Sequence, residues 1–446
     1  MSSTEFDPLS SSAPLIVYID YKSPYAYLAK DPTYALADEL GIEVDWRPFT
    51  LDIPSYLGSA RLDQQGRVVE SQRTPRQWSK VKYAYRDARR YASLRGLIVR
   101  GTTKIWDSSL AGIGMLWAKE QGPAVLRAYI GLTYERFWKR ELDIEDAAVI
   151  EGVLKEAGAR TAGFSGYACG EGRVLHDRMQ RAAFDAGIFG VPTYLVGGEM
   201  FFGREHLPRV RWLLTGRQGA PPDVAYEAAT PGVAVGVGEG VKVLSVTIDF
   251  GSPQTYVALE STRALAEEMG VPIDWQPFLA PARKAPPSPR PSDDRGTRHR
   301  RIRTQYLERD VMRYAADQGL AVRGLYEQID STSAALGLLW VKQEHPSLAW
   351  DYVKRVFDGR WQKTLDIGDE QTIRGLLVEI GAPVAGFETF AAEQGRAGLE
   401  KIQSELQEAG VYEAPAYRVN DEVFIGRQHL PLIRCLLSNA LSHPSA

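Results

Sequence analysis

Ile19-Asp20-Tyr21-Lys22-Ser23-Pro24-Tyr25 follows the apolar run Leu15 to Ile19, and Ile248-Asp249-Phe250-Gly251-Ser252-Pro253-Gln254 repeats it 229 positions later (Asp20 to Asp249). Each apolar run predicts a buried strand. Each Ser-Pro step predicts the start of a helix, with serine as N-cap and proline at the first helical position, where no amide hydrogen is needed. One strand-to-helix turn therefore occurs twice.

The segments that follow keep the register. Val44-Asp45-Trp46-Arg47-Pro48-Phe49 matches Ile273-Asp274-Trp275-Gln276-Pro277-Phe278. Beyond a variable stretch the offset becomes 223 (Asp107 to Asp330) and stays there, pairing Trp117 with Trp340 and Leu142-Asp143-Ile144 with Leu365-Asp366-Ile367. Gly187 to Tyr194 pairs with Gly410 to Tyr417, and Gly203-Arg204-Glu205-His206 with Gly426-Arg427-Gln428-His429. The chain is a tandem duplication. The copies fall at 14–216 and 241–440, and residues 217–240, rich in Ala, Pro and Gly, predict a linker.

Each copy runs strand, helix, strand, then an all-helical middle (about 75–155 in the first), then a strand pair and a closing helix. Strand, helix and strand in that order call for parallel pairing and an α/β class. The second copy differs at 280–297, a Pro, Arg and Ser-rich stretch that predicts a surface loop or a docking segment.

A net charge of −3 over 446 residues leaves no basic footprint for nucleic acid, and no apolar run is long enough to span a bilayer. The acidic, polar start lacks the form of a secretory signal, so a cytoplasmic location is expected. The two cysteines, Cys169 and Cys435, have no Cys-x-x-Cys or zinc-ligand spacing, so neither a disulfide framework nor a metal site is expected.

A strand leading into a helix N-terminus is where a thioredoxin-like oxidoreductase places Cys-x-x-Cys, because the unpaired amides and helix dipole stabilise a thiolate. The fold class expected is thus α/β, with two tandem thioredoxin-like domains, each carrying an all-helical insertion. Here the step reads Ser23-Pro24-Tyr25-Ala26 and Ser252-Pro253-Gln254-Thr255. Neither copy can exchange dithiols on its own cysteines. A hydroxyl at an anion-favouring turn suits a thiol that arrives with a ligand, and glutathione is the candidate cofactor. The competing reading is that Ser23 only caps its helix.

Two further elements belong to the candidate site. Val191-Pro192, before the apolar strand Tyr194 to Val196, suggests a cis-proline turn whose backbone pairs with a peptide-like ligand, and Ala414-Pro415 repeats it. Gly203-Arg204-Glu205, at the entry of the last helix, offers amides and charge to a ligand's α-amino or α-carboxylate group. Arg427 is retained in the second copy, whereas Gln428 replaces the acid. His206 and His429 lack an orienting carboxylate nearby in sequence. Trp46, Tyr83, Tyr85, Trp106, Trp117 and Trp138 fit the core, with one or two of them expected at a ligand.

Ser23-Pro24-Tyr25, Trp46-Arg47-Pro48-Phe49, Tyr85-Arg86-Asp87 and Gly187 to Thr193 together resemble the 2-hydroxychromene-2-carboxylate isomerases. These belong with the kappa-class glutathione transferases in the DsbA-like branch of the thioredoxin superfamily. The resemblance spans nearly all of 14–214 and continues in the same order, more weakly, over 241–437. It implies a glutathione-dependent isomerase or transferase acting on a hydrophobic small-molecule electrophile, aromatic or conjugated. Ser23 would face the glutathione sulfur, Val191-Pro192 would hold the cysteinyl backbone, and Gly203-Arg204-Glu205 would grip the γ-glutamyl end. Asp107 stands where family members often carry asparagine, which argues against an anionic aromatic substrate. The family's two-subunit pairing implies that the fused copies form an internal pseudo-dimer, with further oligomerisation open.

The alternative is a non-catalytic binding module that recognises a peptide or partner protein at the cis-proline edge. Divergence between the copies has a direction: Tyr25 becomes Gln254, Val191 becomes Ala414, Thr193 becomes Ala416 and Glu205 becomes Gln428. Copy one is expected to keep the working site, with Ser252, Ala414, Pro415 and Arg427 as the degenerate counterpart.

Overall fold

The computed structural model describes residues 6–63, 67–227, 243–281 and 283–442. Most of the expected linker, 228–240, lies outside the described residues. The chain divides into two compact units, Met1–Val224 with Pro289–Arg303, and Ala225–Ser288 with Thr304–Ala446.

In the first unit β1 (Leu15–Ile19) is fully buried and enters α1 (Pro24–Leu40), which returns to β2 (Val44–Pro48) alongside β1 in parallel. Gly41 ends α1 in the left-handed conformation, at φ 63°, and its amide closes the last turn on Ala37 and Asp38. After α2 (Pro54–Leu57) comes an exposed two-stranded hairpin, β3 (Ala60–Leu62) with β4 (Val68–Ser71). This hairpin has no signal in the sequence, since β4 is exposed along its whole length.

The helical block follows as α3 (Pro75–Leu94), α4 (Ser109–Lys119), α5 (Pro123–Trp138), α6 (Ala147–Glu156), α7 (Phe164–Cys169) and α8 (Glu171–Asp185). Thr74 starts α3 with a full capping box to Gln77. Next, β5 (Thr193–Val196) pairs antiparallel with β1, β6 (Glu199–Phe202) pairs with β5, and a 3-10 turn at Arg204–His206 leads into α9 (Leu207–Leu214). The sheet order is β2-β1-β5-β6. This is the thioredoxin fold with a helical insertion.

The second unit repeats the plan with β7 (Leu244–Ile248), α10 (Pro253–Met269) and β8 (Ile273–Pro277). Its helical block is α11 (Arg295–Asp317), whose first turns belong to the first unit, then α12 (Thr332–Glu344), α13 (Ala349–Gln362), α14 (Glu370–Glu379), α15 (Phe387–Ala392) and α16 (Gln394–Glu408). β9 (Ala416–Val419), β10 (Glu422–Ile425) and α17 (Leu430–Ser442) close it, in the sheet order β10-β9-β7-β8.

Packing details recur with the topology. Tyr27 stacks on Tyr134 as Tyr256 does on Phe357, and Thr33 bonds Tyr194 as Thr262 bonds Tyr417. The repeat departs at residues Pro289–Arg303. The sequence reading places them in the second domain, yet they group with the first unit. The close approach depends on Gly296, where a Cβ would come within 2.5 Å of the Ser55 carbonyl oxygen.

Candidate functional site

β1 delivers Ser23 to the start of α1. Its hydroxyl oxygen accepts from the Ala26 amide at 3.2 Å and its proton points to the Val191 carbonyl at 3.4 Å, so it both caps the helix and faces the proline loop. Val191-Pro192 is a cis peptide, as is Ala414-Pro415. The Gly203 amide bonds the Pro192 carbonyl, and the Thr193 hydroxyl bonds Gly190. Ser23, Val191 and Pro192 are thus brought together, all buried. Ser252 makes the equivalent pair of contacts, to Thr255 and, at 3.1 Å, to Ala414.

The glycine motif is less open than the sequence suggests. Arg204 is only 1% exposed and lies over the Tyr91 ring, 4.5 Å from its centroid. The Glu205 carboxylate folds back over Gly203, whose φ of 110° and crowded Cβ position both call for glycine. Tyr25 bonds Asp87, which pairs with Arg90, beside this arginine. Asp87, Arg90, Tyr91 and Arg204 recur as Asp310, Arg313, Tyr314 and Arg427, and Arg427 likewise lies over Tyr314. The repeat offset would have singled out this cluster from sequence.

Beside the serine turn a cavity of about 440 Å³ opens, and it reaches the chain at Lys22, immediately before Ser23. None of Ser23, Val191, Pro192, Gly203, Arg204 or Glu205 lines it. Its walls carry six cationic side chains, Lys22, Arg73, Lys82, Arg89, Lys104 and Arg140, and no carboxylate. Two cations have an acid behind the wall, Lys22 with Asp20 at 3.6 Å and Lys104 with Glu145 at 2.6 Å. Three guanidiniums bond backbone carbonyls instead: Arg73 to Gly58, Arg89 to Val99 and Arg140 to Gly101. Burial lowers the proton affinity of Arg73. Trp78, Tyr85 and Trp106 supply aromatic wall, each with a cation over its ring: Arg73, Arg89 and Lys104. A concave, aromatic and positive space of this size suits an anionic aromatic molecule.

Of the six aromatics singled out by sequence, Tyr85 and Trp106 reach this cavity, whereas Trp46, Tyr83 and Trp138 are buried in the core. Trp117 packs on Phe164 and Tyr167 and bonds the Arg160 carbonyl. Asp107 is not on the wall either, because its carboxylate accepts from the Ser109 amide at the start of α4, which holds its pKa down. The cavity's cations were missed because they come from separate stretches with no shared period.

In the second copy most of the cavity's cations and aromatic rings are replaced, although Lys363 keeps the charge of Arg140 and Arg301 stands for Trp78. At the repeat offsets Lys22 becomes Gly251, Lys82 becomes Gln305, Tyr85 becomes Glu308, Arg89 becomes Met312, Lys104 becomes Glu327 and Trp106 becomes Ile329. Arg283 there bonds Gln254 at 2.5 Å, laying a side chain on the first turn of α10. Among the described residues no group of three His, Cys, Asp or Glu could hold a metal, and no helix is long and apolar enough to cross a membrane.

The serine-capped turn, the proline loop and the inserted helices define a thioredoxin-fold protein without the redox cysteines. A family model described as the DSBA-like thioredoxin domain matches residues 14–214 and again 243–438, and the chain belongs to that family in both copies. The 2-hydroxychromene-2-carboxylate isomerase of Sphingobium xenophagum is 25% identical over 194 residues, covering 43% of this chain and 92% of that protein. The isomerase of the same name from Pseudomonas putida is 25% identical over 194 residues, covering 43% and 88%. Among solved structures, a 2-hydroxychromene-2-carboxylate isomerase aligns with a TM-score of 0.34 at 20% identity, over 45% of this chain and 94% of its own.

Proposed function

We propose that the first unit is a glutathione-dependent isomerase acting on an anionic aromatic or conjugated electrophile, and that the second unit has lost this activity. The observation that carries the reading is the cationic, aromatic cavity meeting the Ser23 turn at Lys22. The isomerase-named relatives support the reaction class.

Glutathione, when bound, would supply a thiolate that adds reversibly to a conjugated double bond, so that rotation becomes free before it leaves. The residues present fit it. A hydroxyl carries one proton, so Ser23 can donate either to Val191 or to a ligand's sulfur, and its present bond is long enough to yield easily. The Val191 carbonyl, relieved of that proton, would accept an amide of the ligand's backbone. Lys22 and Lys104 would orient a carboxylate in the cavity, while Trp106 and Tyr85 pack its ring system. No step requires net oxidation or a metal. The proposed location is cytoplasmic, where glutathione is reduced.

A second reading, a non-catalytic binding module, is favoured by the buried Arg204 and folded-back Glu205, which leave the motif closed. Turnover separates the two. Purified full-length protein with glutathione and a conjugated aromatic carboxylate such as a hydroxychromene carboxylate should catalyse double-bond isomerisation, followed by ultraviolet absorbance. Lys104→Glu, the second copy's residue, should reduce it by tenfold or more, the scale of a lost charge-assisted bond. No glutathione-dependent rate, with a stoichiometric protein partner recovered instead, would favour the binding module.

A further inference from the structure

The loop that carries the Val191 carbonyl is held from outside its own copy. We propose that His299, a residue of the second copy by sequence, is a positioning residue for the first unit's site, fixing the 187–191 loop opposite Ser23. The assignment deepens the glutathione reading and rests on it for its ligand.

His299 lies in the first turns of α11, within the segment that groups with the first unit. Its Nε2 is 3.1 Å from the Phe189 carbonyl oxygen, two residues before Val191. A carbonyl only accepts, so that nitrogen carries the proton. Burial and the neighbouring Arg303 push the ring's pKa down to about 4, which keeps it neutral with a single N–H committed to Phe189. The imidazole also stacks face to face on Tyr56, at 4.1 Å between centroids and 5° between planes, and meets Phe189 edge-on.

Neighbours of His299 tie the segment to the end of α8 and to the turn before α2. Arg295 pairs with Asp52 at 3.1 Å, Arg298 pairs with Asp185, and the Arg295 guanidinium lies 4.2 Å from the Phe184 ring centroid. The loop is thereby held at four successive carbonyls: Phe189 by His299, Gly190 by Thr193, Val191 by Ser23 and Pro192 by Gly203. Two of these ties recur in the second copy, Ser252 to Ala414 and Gly426 to Pro415, while Ala416 there replaces Thr193 and has no hydroxyl to donate. The His299 tie has no equivalent either, because the position matching His299 in the first copy is Arg76, which is exposed. The duplication has supplied the first copy's loop with a tie that a single copy lacks.

The test uses the full chain carrying His299→Ala or His299→Gln, with folding checked by circular dichroism. His299→Ala removes the imidazole bond to the Phe189 carbonyl, so amide exchange at 187–190 should quicken about tenfold and glutathione affinity, or its KM, should weaken about tenfold with kcat within about twofold. His299→Gln keeps an N–H donor and should recover most of both. Unchanged exchange in both variants overturns the proposal whether or not glutathione binds. If exchange quickens in His299→Ala while glutathione binds equally well to both forms, the positioning role is likewise overturned. If the wild type itself binds no glutathione, the functional reading has failed, and the exchange measurement alone decides whether His299 orders the loop.

Discussion

Position 22 separates the copies chemically. In the first, Lys22 sits 3.6 Å from the buried Asp20 carboxylate, and in the second Gly251 takes its place. Asp249 is then left with the Gly251 amide and a more distant Arg283, and burial pushes its carboxyl up to about 7. This exceeds the ordinary unfolded value, so between about 4 and about 7 the folded chain holds the additional proton, and stability falls as pH rises through that window. Asp249→Asn should remove this component. Urea midpoints measured from pH 4 to 7.5 should fall less steeply for the variant than for the wild type, and parallel curves would contradict the assignment. Gly251→Lys should act in the same direction, since a side chain there starts 3.3 Å from the Asp249 carboxylate.

At the scale of elements, α4 shows why the repeat survives in the helical block. A Cβ at Gly114 would lie 2.8 Å from Tyr129 Cζ, and one at Gly337 in α12 would lie 2.8 Å from Tyr352 Cζ. Each tyrosine hydroxyl bonds a carbonyl of the facing helix, Ala111 or Ala334. Tyrosine and glycine must therefore be kept together. Gly114→Ala should lower unfolding stability by about 1–3 kcal/mol despite alanine's better helix propensity, the scale of an overpacked core. Chemical denaturation reads this directly, and a stabilised variant would show that the helices separate freely. The strands and helices were legible because start signals, stop signals and apolar runs are local. The β3–β4 hairpin was not, since Val68 to Ser71 are all exposed and leave no inward-facing alternation to read.

At the scale of the molecule, the duplication and the thioredoxin class were legible because two copies check each other residue by residue. Ser23 and Val191-Pro192 were legible as a pair for the same reason. The cavity was not, as its wall draws on residues from Lys22 to Arg140 that only the folded insertion assembles. Nor was the docking of Pro289–Arg303, because a strap held by ring contacts, ion pairs and the His299 hydrogen bond has no periodicity. The copies thus share a fold, while the residues that line the first copy's cationic cavity are mostly replaced in the second.

Isothermal titration of glutathione into the full-length wild type, Ser23→Ala and Ser252→Ala tests this division most directly. One site per chain is predicted in the wild type, with affinity weakened about tenfold by Ser23→Ala, as expected for one lost bond to a thiolate, and unchanged by Ser252→Ala. Equal losses from both substitutions, or no heat with millimolar glutathione, would contradict it.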